Sequence, residues 1–200
     1  LWITTFSEGL VRIDISDNTL EEISLGEPIQ NIIKIMPLDQ DRLILCSTID
    51  GLFSLNKKTM KISSLNSSFG LGNIGLINDI AVYDDKLWIC TDNQILKIDL
   101  ASNRIINKYS TSTFPGMLAE HTIRCIFCRS NGELWAGTSG AGIFRYDCEH
   151  DSFINCTAGK YHGNNFINHI REGNLCRNRL YFATNDGISI LDTENCHFDI

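Results

Sequence analysis

Five stretches of the chain share one order of apolar, small and polar positions. Each begins with leucine and further large apolar residues, passes through a small residue and a polar turn, and returns to apolar residues before an Asp or Asn. The stretches are "LWITTFSEGLVRID" at 1–14, "LILCSTIDGLFSLN" at 43–56, "LWICTDNQILKID" at 87–99, "LWAGTSGAGIFRYD" at 134–147 and "LYFATNDGISILD" at 180–192. Their first leucines are 42, 44, 47 and 46 residues apart, a period typical of repeat architectures.

Each repeat predicts four short strands, because short apolar runs bounded by Gly, Asn and Asp favour strands over helices. The leucine stretch is the second strand, the apolar run after the polar turn is the third, and a segment such as "KISSL" is the fourth. An Ile-x-x-Ile pair begins the first strand, at Ile29/Ile32, Ile77/Ile80, Ile123/Ile126 and Ile167/Ile170. A glycine serves the turn between the second and third strands at Gly9, Gly51, Gly142 and Gly187, with Gln94 in the third repeat.

Four-stranded units at a period near 45 residues are typical of β-propeller blades. We therefore predict an all-β chain, a β-propeller segment of about four and a half blades with four antiparallel strands each. The expected boundaries are a single segment over 1–200, with a partial blade at 1–25 and blades at about 28–66, 76–111, 121–157 and 166–200.

The second strand carries a large aromatic residue in four of the five repeats, and in all five a small residue lies at the next position but one. The aromatic positions are Trp2, Trp88, Trp135 and Tyr181, and the small positions are Thr4, Cys46, Cys90, Gly137 and Ala183. We expect the aromatic rings to pack between blades rather than to form a sugar-stacking platform. The small positions then allow close approach of neighbouring sheets, with Cys46 and Cys90 as buried thiols.

Charge and cysteine content exclude several classes of function. The chain has 17 basic and 24 acidic residues, a net charge of −7, and no basic block, which argues against a nucleic acid or an anionic membrane as partner. No apolar run approaches the roughly 20 residues that a membrane span needs. The one C-x-x-C, Cys125 to Cys128, has no second pair and lies in a predicted strand, where positions i and i+3 face opposite sides. We expect no metal and no cofactor.

The repeat, clearest in "NGELWAGTSGAGIFRYD" at 131–147, resembles the two-component-regulator propeller repeat, and the likeness covers essentially the whole chain. Departures are Leu43-Ile44 in place of Leu-Trp, Gln94 in place of glycine and Tyr181 in place of tryptophan. The resemblance implies a periplasmic sensor region of a hybrid two-component system (sensor histidine kinase and response regulator) of Bacteroides-type bacteria. Propellers of that family are typically seven-bladed, so the chain is expected to be part of one.

The resemblance also implies partners and a place in the cell. The parent is expected to be an inner-membrane protein that regulates transcription, with its signalling and kinase domains outside this segment. No catalysis and no direct membrane contact are then expected of the segment itself. Because open blades leave strand edges exposed, we also expect a homo-oligomer.

Candidate ligand-binding residues lie where the repeats differ. The connections from a fourth strand to the next first strand, at 66–76, 110–122 and 158–166, open on the same end as the turns between second and third strands. Long loops on one end of a rigid scaffold commonly bind ligands. The candidate residues are Phe69, Asn73, Phe114, His121, Lys160, Tyr161, His162, Asn164 and Asn165, with Phe166 next to them. Tyr161 is the strongest single candidate. Aromatic rings beside amides and hydroxyls suit an oligosaccharide, but the same composition also describes ordinary polar loops.

Two other functions stay open on the residues alone. The first is a non-catalytic protein-interaction or structural scaffold, because a fold does not specify a function. The second, less favoured, is a propeller lyase that uses His121 and His162, although neither has a matched carboxylate or metal partner in the sequence. No nucleophile motif such as G-x-S-x-G occurs. The sequons at Asn66 and Asn155 would be used only in a eukaryotic secretory setting.

Overall fold

The computed structural model describes residues 1–5, 9–24, 29, 31–117, 120–156, 165–174, 176–194 and 197–199. Its contacts divide the chain into two compact units, Leu1–Asp79 and Ile80–Ile200. The described residues form antiparallel β-sheets joined by turns, together with one short 3-10 helix at Thr111–Thr113. In the described part of the chain, no helix is long and apolar enough to cross a membrane.

The first unit contains two sheets. A three-stranded sheet is formed by β1 (Trp2–Thr5), β2 (Gly9–Ile13) and β3 (Leu20–Ile23). A four-stranded sheet is formed by β4 (Ile32–Pro37), β5 (Arg42–Ser47), β6 (Gly51–Asn56) and β7 (Ile62–Ser64). Strands follow chain order in both sheets, and the leucine residues of β5 and β6 are buried beside those of β2 in one core.

The other three sheets repeat the same four-stranded order and, apart from residues 77–79 at the start of the third sheet, belong to the second unit. The third sheet consists of β8 (Ile77–Tyr83), β9 (Lys86–Thr91), β10 (Gln94–Asp99) and β11 (Arg104–Ser110). The fourth consists of β12 (Ile123–Cys128), β13 (Leu134–Thr138), β14 (Ile143–Asp147) and β15 (Ser152–Asn155). The fifth consists of β16 (Ile167–Glu172), β17 (Arg179–Thr184), β18 (Gly187–Asp192) and β19 (His197–Asp199).

The leucine-anchored stretches have the strand position that the sequence predicts. In each four-stranded sheet the anchored stretch is the second strand, and in the three-stranded sheet it is the strand before the glycine turn. Trp88 and Trp135 are buried, whereas Trp2 and Tyr181 are half-buried. The predicted all-β propeller fold class is confirmed, because sheets of this kind are propeller blades.

One predicted strand start is wrong. The second sheet begins at Ile32, and Ile29 lies before the strand, although its side chain is buried. The other three Ile-x-x-Ile pairs begin their strands as predicted. The register of β4, β12 and β16 against the next strand shifts by one residue just after the first isoleucine. Such a bulge bends the start of the strand and changes the direction of nearby side chains.

The small positions of the second strands explain close packing between sheets. A Cβ atom at Gly137 would lie 2.5 Å from Cγ2 of Ile167 and 2.7 Å from Sγ of Cys125, so a larger residue would clash with both. Cys46 and Cys90 are fully buried thiols, as the repeat pattern predicts. Burial raises the pKa of the Cys46 thiol to about 12, which keeps the thiol protonated and unreactive near neutral pH.

Candidate functional site

The turns between second and third strands lie beside the segments that lead into first strands, as a four-stranded meander requires. In the third sheet the backbone N–H of Thr111 donates to Asn93 O at 2.9 Å, and that of Ile123 donates to Asp92 O at 3.1 Å. We call this end of the second unit the loop end. The sequence predicts ligand binding at this end.

The β13–β14 turn is held on both sides by backbone hydrogen bonds. Ser139 N donates to Thr122 O at 2.9 Å, and the Ser139 hydroxyl accepts from Thr122 N at 2.8 Å. On the other side, Gly140 N and Gly142 N donate to Asn165 O at 2.9 and 3.2 Å. The turn therefore connects the segment before β12 to the segment before β16 and fixes the distance between them.

Side chains within this turn complete its backbone bonding. The Thr138 hydroxyl donates to Gly142 O at 2.8 Å and accepts from Ala141 N at 3.1 Å. Gly140 has a φ of +114°, a conformation that side-chain-bearing residues rarely adopt. A Cβ atom at Gly140 would also lie 2.8 Å from Nε2 of His121. Glycine therefore allows the imidazole to lie directly against the turn.

An open pocket of about 460 Å³ lies above this turn. We call it the loop-end pocket; its lining residues are Glu120, His121, Ser139, Gly140, Asn165 and Phe166. Phe166 is 42% exposed, and its backbone forms a β-bridge with Ser139. The pocket thus combines an exposed aromatic residue with a carboxylate, an imidazole, a hydroxyl and an amide around the hydrogen-bonded β13–β14 turn.

Two of the predicted site residues, His121 and Asn165, meet in this pocket together with Phe166. Four others, Lys160, Tyr161, His162 and Asn164, lie outside the described residues. Sequence reasoning placed the "TSGAG" turn at this end but did not single out Ser139, Gly140 or the neighbouring Glu120. The two glycines around Ala141 were the available signal, because they allow other segments to approach the turn closely.

Two predicted aromatic residues do not offer a ring to a ligand. Phe69, in the first unit, is 3% exposed, and Phe114, in the second, is 5% exposed. Phe114 follows the 3-10 helix and packs against Phe144 and Phe153, with ring centroids 5.2 and 4.8 Å apart. Both therefore belong to the core. Asn73, in the first unit, is exposed and accepts a hydrogen bond from Gly75 N at 3.4 Å.

The sequon asparagines have a structural role. In the first unit, Asn66 Oδ1 accepts from Leu52 N and its Nδ2 donates to Asp50 O, both at 2.8 Å. In the second, Asn155 Nδ2 donates to Ala141 O at 3.2 Å. Each amide thus bonds the backbone at the turn between the second and third strands of its own sheet.

Among the described residues, one group has the ligand atoms for a metal ion close together, namely Asp147, Glu149 and His150. It lies in the β14–β15 turn, away from the loop-end pocket. The imidazole Nδ1 of His150 lies 2.6 Å from Oδ2 of Asp147. A hydrogen bond from His150 is the main reason why the pKa of Asp147 is below its usual value. The hydrogen bond between His150 and Asp147 therefore accounts for the closeness of these side chains within the turn.

Comparison with known proteins identifies solved structures with a similar fold. No family model and no curated protein matches the chain. Among solved structures, the extracellular domain of the hybrid two-component system BT3049 from B. thetaiotaomicron superposes with a TM-score of 0.75 at 20% identity, over 100% of this chain and 26% of that one. The extracellular domain of BT4673 from the same organism gives 0.74 at 18% identity, over 99% and 25%. The chain has the β-propeller fold.

A third similar structure is PorZ, a surface component of the type-IX secretion system of Porphyromonas gingivalis. It gives a TM-score of 0.67 at 18% identity, over 92% of this chain and 29% of PorZ. The chain therefore spans about a quarter of the length of the two-component domains and less than a third of PorZ.

Proposed function

We propose that the chain is part of the periplasmic sensor region of a two-component signalling protein and that it binds an oligosaccharide in the loop-end pocket. The repeat resemblance and the fold shared with two extracellular domains of two-component systems support the sensor assignment. The observation that carries the ligand assignment is the pocket itself, where the exposed Phe166 lies with His121 and Asn165 around the β13–β14 turn.

The chemistry of the pocket fits a sugar better than an apolar molecule. A sugar ring has apolar C–H faces that pack on an aromatic ring, and hydroxyls around its edge that need partners once they leave water. Phe166 provides the ring, and the side chains of His121, Asn165 and Glu120 provide donors and acceptors. A volume of about 460 Å³ lies within the range of small-molecule sites.

In this proposal the segment itself performs no catalysis. Ligand binding changes the conformation of the propeller, and the signalling domains of the same parent chain respond to that change. The parent chain is a sensor histidine kinase with a transcriptional output. We also propose one propeller segment over residues 1–200 and self-association through strand edges. Sedimentation velocity over a range of protein concentrations tests the oligomer.

Isothermal titration of the full chain with a panel of uncharged oligosaccharides tests the ligand assignment. For a sugar that binds, Phe166→Ala is expected to weaken binding by about fivefold or more, because a lost aromatic contact is worth about 1–3 kcal/mol. Tyr161→Ala, at the strongest candidate outside the described residues, is expected to weaken it by a similar factor. Tyr83→Ala is the matched control, since Tyr83 is 41% exposed but ends β8, away from the loop end.

Unchanged affinity in Phe166→Ala, or equal loss in Tyr83→Ala, would show that the loop-end pocket is not the sugar site. A chain that binds no sugar of the panel would favour the second candidate, a protein-interaction scaffold. The shared fold with PorZ, a component of a secretion system, supports that alternative.

A further inference from the structure

A second pocket, of about 330 Å³, lies at the opposite end of the fourth and fifth sheets. It is found where β12 turns into β13 and β16 turns into β17, so we call it the turn-end pocket. Its lining includes Phe127, Ser130, Arg171, Glu172, Asn174 and Arg177. None of these residues lines the loop-end pocket.

A buried arginine builds the frame of this pocket. The side chain of Arg129 is 6% exposed, and all three of its nitrogen atoms are bonded. Nε donates to Glu172 Oε1 at 3.1 Å, Nη2 donates to the backbone O of Arg177 at 2.5 Å, and Nη1 donates to Glu133. Arg129 therefore joins the two turns and fixes the spacing of the groups that line the pocket.

The carboxylate of Glu172 is already paired within this frame. One oxygen accepts from Arg129, and the other accepts from the backbone N–H of Ser130 at 3.0 Å. Burial by itself would raise the pKa of Glu172, but these hydrogen bonds and the nearby guanidinium lower it below its usual value. Glu172 thus remains ionised, and each of its two oxygens is already bonded to the fourth sheet.

Two further guanidinium groups lie at this pocket without a carboxylate partner in the described part of the chain. Arg171 lies over the ring of Phe127, 6.0 Å from its centroid, and donates through Nη1 to Ile170 O at 2.9 Å. Arg177 contacts the frame through its backbone oxygen, and its side chain is exposed. Arg129, Arg171 and Arg177 carry three positive charges at this end, and the carboxylates paired with Arg129, those of Glu133 and Glu172, carry two negative ones. One positive charge is therefore in excess, on a chain whose net charge is −7.

We propose that the turn-end pocket binds a small carboxylate-bearing ligand, with Arg171 and Arg177 as the charged contacts. A guanidinium presents two parallel N–H donors that match the two oxygens of a carboxylate. The stack on Phe127 and the bond to Ile170 O hold Arg171 in place before a ligand arrives, which lowers the entropy cost of binding. Ser130 and Asn174 provide polar groups for the rest of the ligand. The proposal does not depend on sugar binding at the loop end.

Titration of the full chain with D-glucuronate, followed by two-dimensional NMR, tests the site, with D-glucose as the uncharged probe and inorganic sulfate as the alternative anion. Glucuronate is expected to shift amide signals of residues 127–130 and 171–174 in a saturable way, and glucose to leave them unchanged. Arg171→Gln and Arg177→Gln are each expected to weaken glucuronate binding about tenfold or more. Arg104→Gln, an exposed arginine on β11, is the matched control and is expected to retain full affinity.

Arg171 and Arg177 are exposed, so melting temperatures within error of the parent chain will show that each variant folds. Equal loss of affinity in Arg104→Gln would overturn the proposal, because binding would then follow overall charge rather than the pocket. Sulfate binding without glucuronate binding would overturn the carboxylate assignment. Absence of a saturable shift with glucuronate in the folded parent chain would overturn the site itself.

Discussion

The indole of Trp135 has a buried nitrogen, Nε1, that finds no hydrogen-bond acceptor among the described residues. The side chain is 4% exposed, and its ring centroid lies 6.4 Å from that of Phe182. A buried donor without an acceptor costs about 1–3 kcal/mol. Trp135→Phe keeps an aromatic ring and removes the donor, so we expect it to be tolerated although the position is deep in the core.

The magnitude follows from two opposing terms. Phenylalanine buries roughly 50 Å² less than tryptophan, which costs about 1.2 kcal/mol at ~25 cal/mol per Å². Removal of the donor recovers about 1–3 kcal/mol. The free energy of unfolding of Trp135→Phe is therefore expected to lie between that of the parent chain and about 2 kcal/mol above it. Trp135→Ala, which removes the ring, is expected to lose about 3–5 kcal/mol.

Trp88→Phe is the matched comparison, because Trp88 occupies the same strand position in the third sheet and is 5% exposed. Its ring also faces the ammonium of Lys97, which lies 5.0 Å from the ring centroid. This variant loses the same apolar area and part of a cation–π contact worth about 0.5–2 kcal/mol. We expect Trp88→Phe to lose about 1–3 kcal/mol.

Urea unfolding followed by far-ultraviolet circular dichroism measures all three variants, since that signal does not depend on the replaced indole. The two tryptophan-to-phenylalanine variants should differ by about 1 kcal/mol or more, with Trp135→Phe the more stable. If they lost the same free energy of unfolding, the Trp135 N–H would have an acceptor, and the argument from an unpaired donor would fail.

Two further predictions concern the first unit. Asn66→Ala should lower the free energy of unfolding by about 1–3 kcal/mol, because it leaves the backbone of the β5–β6 turn unpaired, whereas Asn73→Ala, at an exposed position, should change it little; urea unfolding measures both. Burial raises the pKa of Cys46 to about 12, so Cys46 should resist iodoacetamide in the native chain while the exposed Cys148 reacts. Mass spectrometry measures the labelling of both residues, and early labelling of Cys46 would contradict its burial. Since its folded-state pKa lies above the ordinary thiol value of about 8.5, the stability that Cys46 contributes is complete below that pH and is lost as the pH rises towards 12.

The positions of the strands follow from the sequence, because strand formation here depends on short apolar runs and on the turn residues between them. The stretch "LWAGT" is fully buried as β13, and the small Gly137 within it marks the close approach of Ile167 and Cys125. Both features could be recognised from the repeats, because the second strands of the sheets carry similar residues at equivalent positions.

The sequence could not show which loop aromatics turn inward. Phe114 and Phe166 both lie in connections between sheets, yet Phe114 packs on Phe144 and Phe153 while Phe166 remains 42% exposed. The difference depends on the path of the backbone after each fourth strand. The 3-10 helix after β11 leads Phe114 into the core, whereas the bridge to Ser139 holds the Phe166 backbone at the loop end.

Only the tertiary structure assembles the two pockets, because each joins residues that are far apart in the chain. His121 and Asn165 meet through the backbone bonds of the β13–β14 turn, and Arg129 reaches Glu172, 43 residues later, across two turns. Local patterns determine where strands begin and end. The contact between a side chain of one sheet and a turn of the next depends on how the sheets pack, and no local pattern in the sequence encodes that distance.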